Sequence, residues 1–543
     1  MPCDILLIQP PIRDFYLTRK RTVPYGLASI AAVCRERGYR VALLDALASG
    51  KSKPAPLHPD LSYLTDIYGE ADASPFALFQ HYRHFGYALT TIAAKACEVG
   101  ARIVGISSLF SAYEDMALAC AQVVKEKCPD AYIVMGGHHP TVLPERVLDH
   151  PAVDFVLRGD GEASLPALAE ALFHNNDLQS VPGIAYRQKN GRRFIRQPAY
   201  LENLGCLPPP AVDLIKERYY ARKGKPTLTI ATSRGCPMRC SYCSVGSHSK
   251  IPYRRRTVEH VMQEIAHTAG KREIGLIDFE DENIALDRDW FTQLLHHIID
   301  YFGPRRPELR AMNGLFPPAL DKNIIGLMQK AGFRELNLSL GTTDHRQSRR
   351  FNRPAVTVAF DRALKWVEHF GMTAVGYLIA GAPGQDPMTS VQDLLFLASR
   401  RVLAGLSVYY PAPASPDFAT CRVLGLLPAS PLAWRSTALS INHTSRRSEN
   451  LTLLRLSRLL NFMKQCIDVH GDRSLPTPSP YDGRRLSETR EEIGLLLLRW
   501  FLNDGIIRGV TRDGEVFTHS TCAELIRVFR EGVQSLPLRG VQY

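Results

Sequence analysis

The 543-residue sequence contains no long uncharged hydrophobic run. No stretch reaches the roughly 18–20 apolar residues that a membrane-spanning helix requires. A secretory signal has a basic segment before its apolar run, and the short apolar run near the start of this chain has none. Twelve cysteines are too few for a disulfide scaffold in a chain of this length. Internal repeats and low-complexity tracts are also missing. We therefore expect a cytoplasmic protein without a membrane span.

The composition is otherwise that of an ordinary globular protein, with 45% hydrophobic and 22% charged residues. At roughly 100–200 residues per domain, the length predicts about three or four domains. The net charge of +12 would suit an anionic partner. The excess is spread along the chain, with small clusters only at 253–256 and 346–353. We interpret it as a solvated basic surface, and nucleic acid is not an expected partner.

Three of the cysteines fall within eight residues, in the segment TLTIATSRGCPMRCSYCS. Cys236, Cys240 and Cys243 have the spacing C-x3-C-x2-C. Residues 227–231 form a β-rich run, and a glycine and a proline then interrupt it. The cysteines are therefore expected on a loop at the carboxyl end of a strand, where α/β proteins bind ligands.

Three thiolates are an unusual number for a metal site. A structural zinc ion requires four ligands, but no other cysteine follows Cys243 closely and the nearest before the motif is Cys206. His248 could complete a Cys3His zinc site, and this alternative stays open. A [4Fe–4S] cluster held by three thiolates keeps one iron free to chelate a substrate or cosubstrate.

The C-x3-C-x-aromatic-C motif after a strand resembles the signature of radical S-adenosylmethionine (SAM) enzymes. The resemblance implies that the amino and carboxylate groups of SAM chelate the free iron of the [4Fe–4S] cluster. Reduction of the cluster then cleaves SAM to methionine and a 5′-deoxyadenosyl radical. Tyr242 matches the position whose side chain packs near the adenine.

Strand and helix patterns alternate after the cysteines. Repeated β–α units of this length predict a parallel sheet that curves into a partial barrel, and the resemblance implies the same architecture. The predicted strands are 273–279, 309–312, 335–340 and 373–379, and the predicted helices are 257–270, 289–302, 320–331 and 358–370.

Several strand ends carry residues where the resemblance implies SAM contacts. Asp281 or Glu282, after the second strand, is expected to pair with the SAM ammonium group. Gly341 ends the fourth strand. Related enzymes often have a glutamate directly after that glycine, whereas this chain has Thr342, so only the glycine is assigned. Gly381 ends the strand that resembles the adenine-contacting one.

The first two hundred residues also alternate between strand and helix, which predicts a doubly wound, Rossmann-like open sheet that binds a ligand at the carboxyl ends of its strands. No G-x-G-x-x-G follows the first strand, so NAD is not expected. Residues 48–84 are expected to form an inserted loop.

Short motifs at these strand ends resemble those of cobalamin-binding domains. Small residues there let a flat, bulky ligand approach the backbone. The motifs are similar to the S-x-L and G-G elements of such domains and to the R-G-x-G-E turn of cobalamin-binding radical SAM proteins. The residues that the resemblance assigns to cobalamin are Ser107, Ser108, Leu109, Gly136, Gly137, His138, His139, Gly159 and Glu162.

One element of cobalamin domains is absent. Domains that ligate cobalt through histidine carry D-x-H-x-x-G after the first strand, whereas residues 9–14 here read QPPIRD. We therefore expect cobalamin with no histidine from that position on cobalt. His138 and His139 either approach the corrin or are polar loop residues.

The predicted organisation has four parts, and the last is expected to close over the mouth of the barrel. They are a cobalamin-binding Rossmann-like domain at 1–200, a proline-rich linker at 201–225, a radical SAM core at 226–435 and an α-rich C-terminal cap at 436–543.

The sequence thus predicts a cobalamin-dependent radical SAM enzyme that methylates an unactivated carbon. The deoxyadenosyl radical removes a hydrogen atom, and methylcobalamin, recharged by a second SAM, supplies the methyl group. Three alternatives stay open: a ring-forming or rearrangement enzyme similar to anaerobic porphyrin cyclases, a tRNA methylthiotransferase, and a non-enzymatic zinc protein. The expected partners are a small-molecule or lipid substrate and an electron donor such as ferredoxin or flavodoxin.

Overall fold

A computed structural model describes most of the chain and defines twenty strands and seventeen helices within the part it describes. The described residues are 3–15, 23–78, 81–222, 224–246, 249–471 and 475–542. The strands are β1 (Ile5–Gln9), β2 (Ile12–Asp14), β3 (Val41–Asp45), β4 (Ser52–Pro54), β5 (Arg83–Phe85), β6 (Ile103–Ser107), β7 (Tyr132–Gly136), β8 (Phe155–Leu157), β9 (Ile184–Arg187), β10 (Arg193–Ile195), β11 (Thr227–Ile230), β12 (Ser233–Arg234), β13 (Arg254–Arg255), β14 (Leu276–Phe279), β15 (Glu308–Ala311), β16 (Glu335–Gly341), β17 (Thr373–Ala380), β18 (Leu403–Val408), β19 (Arg508–Val510) and β20 (Val516–Thr518).

The helices are α1 (Tyr25–Glu36), α2 (Leu64–Tyr68), α3 (Leu89–Val99), α4 (Glu114–Lys127), α5 (His138–Val142), α6 (Pro144–Leu148), α7 (Gly161–His174), α8 (Val258–Ala269), α9 (Arg288–Phe302), α10 (Lys322–Ala331), α11 (His345–Arg350), α12 (Thr357–His369), α13 (Pro387–Ala398), α14 (Pro416–Val423), α15 (Arg447–His470), α16 (Arg490–Asp504) and α17 (Ala523–Ser535). Within the described ranges, no helix has both the length and the apolar character needed to cross a bilayer.

The N-terminal sheet has the strand order β10-β9-β8-β7-β6-β1-β3. Strands β3, β1, β6, β7 and β8 are parallel, and β9 and β10 add an antiparallel hairpin. Successive residues of β1 enter opposite cores: Leu6 and Ile8 pack on one face of the sheet, and Ile5 and Leu7 on the other. Burial on both faces is the expected state of a parallel sheet covered by helices. The predicted doubly wound, Rossmann-like fold is confirmed.

The described residues of this segment, 48–78 and 81–84, contain more regular secondary structure than the inserted loop that the sequence predicts at 48–84. They contain β4, α2 and the start of β5, and β4 and β5 form a three-stranded antiparallel sheet with β2. Phe76 packs edge-on against Phe462 of α15, with ring centroids 5.3 Å apart. The prediction of a plain loop was wrong because these strands have only three residues each and gain their partners from distant parts of the chain.

The second half of the chain contains a partial barrel of six parallel strands. Two three-stranded sheets, β11-β14-β15 and β16-β17-β18, are connected by the isolated bridges Leu309–Phe333 and Leu315–Leu338. The strands follow one another in chain order, with helices between them, which confirms the predicted partial barrel. The strand predicted at 273–279 begins only at Leu276, because it pairs with Thr227 at the start of β11.

Helix α15, the first long helix of the C-terminal region, lies along β18, an edge strand of the barrel. The side chain of Asn461 binds both backbone groups of Ala404: the amide nitrogen of Ala404 donates to Oδ1 at 2.8 Å, and Nδ2 donates to the carbonyl oxygen at 2.9 Å. A side chain thus takes the place of a further strand at an otherwise unpaired edge. The predicted domain boundaries stay predictions.

Candidate functional site

The three clustered cysteines line one cavity at the carboxyl ends of the barrel strands. They lie on residues 235–246, which we call the cysteine loop, and the cavity has a volume of about 230 Å³. Cys236 and Cys240 are buried, and Cys243 is partly buried. Burial raises the pKa of the Cys243 thiol to about 11 and also raises that of Cys236. The loop therefore brings three sulfur atoms to one cavity.

The cysteine loop departs from the strand through Gly235, which has a φ of +76°. A Cβ atom at this position would lie 2.6 Å from the carbonyl oxygen of Pro252, so only glycine fits. Within the described part of the chain, no group of three His, Cys, Asp or Glu side chains already forms a metal-coordinating set. His248, the fourth ligand of the zinc alternative, lies outside the described residues.

Tyr242 and Arg353 form one wall of the cysteine cavity. Arg353 Nη1 donates to the Tyr242 hydroxyl at 3.0 Å, and Nη2 donates to the carbonyl oxygen of Ser339 at 2.7 Å. The Tyr242 ring packs edge-on against Phe351, with centroids 5.0 Å apart. Arg353 Nε is buried and has no protein partner in the described structure. Arg353 was not among the predicted site residues, because the basic cluster at 346–353 was expected on a solvated surface.

The two acidic candidates have different surroundings. Asp281 Oδ2 accepts from the Thr232 amide at 3.0 Å, and Oδ1 accepts from the hydroxyls of Thr232 and Ser233. Glu282 lines the cysteine cavity, and its buried Oε2 has no partner among the residues described. Burial, aided by the nearby Asp281 carboxylate, raises the pKa of Glu282 to about 7. Of the pair, Glu282 is the carboxylate that faces the cavity.

The two candidate glycines lie at strand ends with left-handed backbone conformations, but the cysteine cavity is lined by other residues. A Cβ atom on Gly341 would approach the side chain of Arg353 to 3.6 Å, at ordinary contact distance. A Cβ atom on Gly381 would lie 2.6 Å from the side chain of Asn450 in α15. Gly381 therefore makes room for the C-terminal helix.

A second cavity, of about 350 Å³, lies between the carboxyl end of the N-terminal sheet and the cysteine loop. We call it the large cavity. It meets the cysteine cavity at Val245 and Glu282, which line both. Ser108 instead lines a small adjoining cavity of about 50 Å³, together with Ser107 and Leu109. The candidate cobalamin residues that line the large cavity are Ser107, Leu109, Gly136, Gly137, His138, Gly159 and Glu162.

The histidine pair divides between the cavity and the core. His138 lines the large cavity, and its buried Nε2 has no partner within the described chain. Burial, with a smaller effect of His139, lowers the pKa of His138 to about 4, so the imidazole is neutral at pH 7. His139 is fully buried, with Nδ1 at 2.9 Å from Ser111 Oγ and Nε2 at 2.8 Å from Glu114 Oε2.

The basic cluster at 253–256 is largely internal. Arg254 and Arg256 are only 8% and 6% exposed, and Arg256 Nη1 lies 2.6 Å from Glu264 Oε2. The expectation of a solvated basic surface was wrong for these residues. Their charges are neutralised by carboxylates that come from other parts of the sequence.

Two family models match the two halves of this site. Residues 78–169 match the B12 binding domain, and residues 230–397 match the Radical SAM superfamily. The chain thus combines a B12 binding domain with a radical SAM domain. Its cofactors are accordingly a [4Fe–4S] cluster, SAM and cobalamin.

Methyltransferases are among the relatives of this radical SAM enzyme. It is 25% identical over 391 residues to the uncharacterized methyltransferase PH0819 of Pyrococcus horikoshii, covering 70% of this chain and 74% of the relative. It is 26% identical over 412 residues to cytidylyl-2-hydroxyethylphosphonate methyltransferase of Streptomyces wedmorensis, covering 70% and 73%. An anaerobic magnesium-protoporphyrin IX monomethyl ester cyclase of Synechocystis is 27% identical over 303 residues, 54% of this chain and 52% of the relative.

Two solved structures share the fold of the radical SAM enzyme. The methyltransferase TsrM from Kitasatospora setae, with cobalamin and a [4Fe–4S] cluster bound, superposes with a TM-score of 0.57 at 17% identity, covering 80% of this chain and 85% of the other. OxsB with aqua-cobalamin and SAM bound has a TM-score of 0.63 at 13% identity, covering 86% and 68%.

The side chains of the two cavities fit these cofactors. Soft thiolates are the usual ligands of iron–sulfur clusters, and the cysteine cavity holds three of them beside the unpaired Glu282 Oε2 and Arg353 Nε. The large cavity combines apolar walls with the unpaired His138 Nε2. Buried polar atoms without protein partners are expected where a ligand supplies the partner.

Proposed function

We propose that this enzyme transfers a methyl group to an unactivated carbon of a small-molecule substrate. The observation that carries the proposal is the junction of the two cavities at Val245 and Glu282. Methyl transfer by this chemistry requires the SAM and cobalamin sites to share one water-poor space. The two methyltransferase relatives that match over 70% of this chain support the same activity.

The overall reaction balances with two SAM molecules and two electrons. When bound, the cluster delivers an electron to SAM and cobalamin carries a methyl group. The substrate exchanges a C–H bond for a C–CH3 bond, and its hydrogen atom leaves in 5′-deoxyadenosine. The other products are methionine and S-adenosylhomocysteine. Both electrons come from an external one-electron donor, for which we propose a ferredoxin or flavodoxin.

The roles of the cavity residues follow from their chemistry. We assign Cys236, Cys240 and Cys243 to three irons of the cluster. Glu282 is suited to accept hydrogen bonds from the SAM ammonium group, because its Oε2 is buried and unpaired. Arg353 is suited to the SAM carboxylate, because a guanidinium donates in a fixed planar arrangement. We assign Tyr242, whose hydroxyl accepts a hydrogen bond from Arg353, to the adenine.

On the other side of the junction, we assign the large cavity to cobalamin. The apolar side chains of its walls exclude water, and Gly137 and Gly159 let the backbone approach the ligand. His138 presents a neutral imidazole to it. His139 contacts Ser111 and Glu114 instead of the large cavity, and Ser108 lines the small adjoining cavity.

The test is anaerobic purification with cobalamin, followed by metal analysis and product analysis. We expect about four irons and one cobalt per chain, and 5′-deoxyadenosine only when a reductant is present. Alanine at Cys236, Cys240 or Cys243 should abolish deoxyadenosine formation. A protein with zinc instead of iron, and with no deoxyadenosine, would overturn the proposal.

Ring closure is the second candidate, because a cyclase relative matches over half of this chain. Isotope-labelled SAM separates the two activities. A methyltransferase adds the labelled methyl group to its product, whereas a cyclase produces deoxyadenosine and an unlabelled product.

A further inference from the structure

An arginine next to the cysteines is paired with carboxylates of the N-terminal sheet. Arg234 stands two positions before Cys236. Its Nη1 lies 3.0 Å from Asp160 Oδ1, and its Nη2 lies 2.6 Å from Glu162 Oε1. The Glu162 and Asp160 side chains are only 4% and 9% exposed. The ion pairs are therefore largely shielded from water, where charge-assisted hydrogen bonds are strong and directional.

A second arginine strengthens the same contact. The short strands β12 and β13 pair antiparallel, with Arg234 opposite Arg254. Arg254 Nη1 contacts Asp160 Oδ2 and donates to the carbonyl oxygen of Leu201 at 2.8 Å. One hairpin thus holds the turn after β8 with two guanidinium groups.

The turn after β8 is also hydrogen-bonded to the turn after β7, which contains Gly137 of the large cavity. The Gly159 amide donates to Thr141 Oγ1 at 3.0 Å, and Thr141 Oγ1 donates to the carbonyl oxygen of Gly137 at 2.8 Å. Gly159 has a φ of +95°. A Cβ atom there would lie 2.0 Å from the carbonyl oxygen of Ala199. A continuous chain of contacts therefore runs from Gly137 to the residue before the cysteine loop.

Both oxygens of the Glu162 carboxylate are bonded to one guanidinium group. Oε1 accepts from Arg234 Nη2, and Oε2 accepts from Arg234 Nη1 at 3.2 Å. Although burial opposes ionisation, the Arg234 guanidinium holds the pKa of Glu162 below its ordinary value. The sequence resemblance assigned Glu162 to cobalamin, whereas the contacts assign its charge to the cysteine loop.

We infer that Glu162 and Arg234 are positioning residues that fix the cysteine loop against the cobalamin side of the site, and that Glu162 does not bind cobalamin through its charge. This inference rests on the proposed function, because it gives the ion pair the task of setting the separation of the two cofactor sites. The pair therefore governs how SAM divides between its two uses. Cleavage of SAM to deoxyadenosine needs only the cysteine cavity. Methyl donation from SAM to cobalamin needs the two cavities at the correct distance and orientation.

The test compares Glu162→Gln with the wild type as reconstituted holoenzyme. The matched control is Asp504→Asn, which neutralises a carboxylate 2.7 Å from Arg508 within the C-terminal region. We expect the Kd for hydroxocobalamin to stay within about threefold of wild type. Hydrogen exchange of the cysteine-loop amides should become about tenfold faster, because the loop loses its charged anchor. The control should change neither quantity.

Product analysis then examines the division of SAM without substrate. In Glu162→Gln, the rate of deoxyadenosine formation should stay within about threefold of wild type. The rate at which methylation of reduced cobalamin forms S-adenosylhomocysteine should fall about tenfold. Glu162→Gln combined with Arg234→Gln should be no worse than the more severe single variant, because both remove the same pair.

The outcomes separate the two proposals. A tenfold weaker Kd for hydroxocobalamin, or unchanged exchange of the cysteine loop, would overturn the positioning role. If the wild type forms neither product from SAM, the proposed function fails, and the affinity and exchange measurements still decide the role of the ion pair.

Discussion

At the scale of single residues, the site is defined by polar atoms that the protein leaves unpaired. Glu282 Oε2, Arg353 Nε and His138 Nε2 are buried without partners among the described residues. Leaving a buried polar atom unsatisfied costs about 1–3 kcal/mol, and a ligand bound in the two cavities would supply the missing partners of these three atoms. By contrast, both carboxylate oxygens of Asp281 accept hydrogen bonds within the protein, so this residue serves the structure.

Arg353→Lys tests the SAM contact most directly. Lysine keeps the charge but loses the planar set of donors that holds Tyr242 and Ser339. We expect the Kd for SAM to rise about tenfold with unchanged iron content, as measured by anaerobic equilibrium dialysis. The control is Arg349→Lys, an exposed position of the same basic cluster. Equal SAM affinity in the two variants would contradict the assignment of Arg353.

Asp393 gives a prediction of pH dependence outside the cofactor cavities. Its Oδ1 accepts from the amide and the hydroxyl of Thr343, both at 2.6 Å, and burial raises its pKa from 3.8 to about 6. The folded state thus keeps this proton to a higher pH than the unfolded chain. The stability contributed by the protonated form is complete below about pH 4 and is lost as the pH rises through 6.

Asp393→Asn should remove this dependence. Asparagine keeps an oxygen acceptor for Thr343 and carries no charge, so the variant should be more stable than wild type at pH 8 by about 1–3 kcal/mol. At pH 4 the two proteins should unfold alike. Denaturant unfolding monitored by circular dichroism at both pH values measures the difference. A constant difference at both values would show that ionisation of Asp393 has no part in it.

At the scale of secondary-structure elements, tight turns at strand ends bring the motifs together. Gly137 has a φ of +115°, and a Cβ atom there would lie 2.6 Å from the carbonyl oxygen of Ser108. The turn after β7 therefore packs directly on the turn after β6. Such an approach requires glycine, and it explains why small residues recur where the cavity forms.

Gly137→Ala should consequently disturb cobalamin binding. The new methyl group clashes with the backbone of Ser108 in addition to the strain of a positive φ, which costs about 1–3 kcal/mol. We expect at least a tenfold loss of affinity for cobalamin, measured by absorbance titration. Gly38→Ala is the control, because its φ is +86° and no atom lies within 4 Å of the added Cβ. If both variants bind cobalamin equally, close packing of the two turns is not needed for the site.

At the scale of the whole molecule, the insertion and the C-terminal region are joined by buried hydrogen bonds of Asp72. Asp72 Oδ2 lies 3.1 Å from His519 Nε2, and both side chains are almost fully buried. Asp72 Oδ1 also accepts from the Val510 amide at 3.2 Å. Arg455 of α15 is only 1% exposed, and its charge is stabilised by Asp72. Segments more than four hundred residues apart are thereby held together.

Asp72→Asn should loosen this connection. Removing the carboxylate takes away the acceptor of the His519 hydrogen bond and the negative charge nearest to the buried Arg455, and a buried group that loses its partner costs about 1–3 kcal/mol. We expect a clearly lower melting temperature, measured by calorimetry. We also expect earlier proteolysis of residues 48–84, measured by mass spectrometry of the fragments. Asp66→Asn, an exposed position on α2, is the control. A melting temperature equal to that of the control would contradict a stabilising role for the Asp72 contacts.

The sequence alone determined the local features of this enzyme: the spacing of Cys236, Cys240 and Cys243, the alternation of strands and helices, and the glycine turns at strand ends. Spacing and periodicity are properties of neighbouring residues, so they can be seen without a fold. Only the tertiary structure decided that Glu282 faces the cavity, that Arg353 lines it and that Glu162 pairs with Arg234. Those outcomes depend on contacts between side chains far apart in the chain, which are formed only when the two sheets and the barrel pack together.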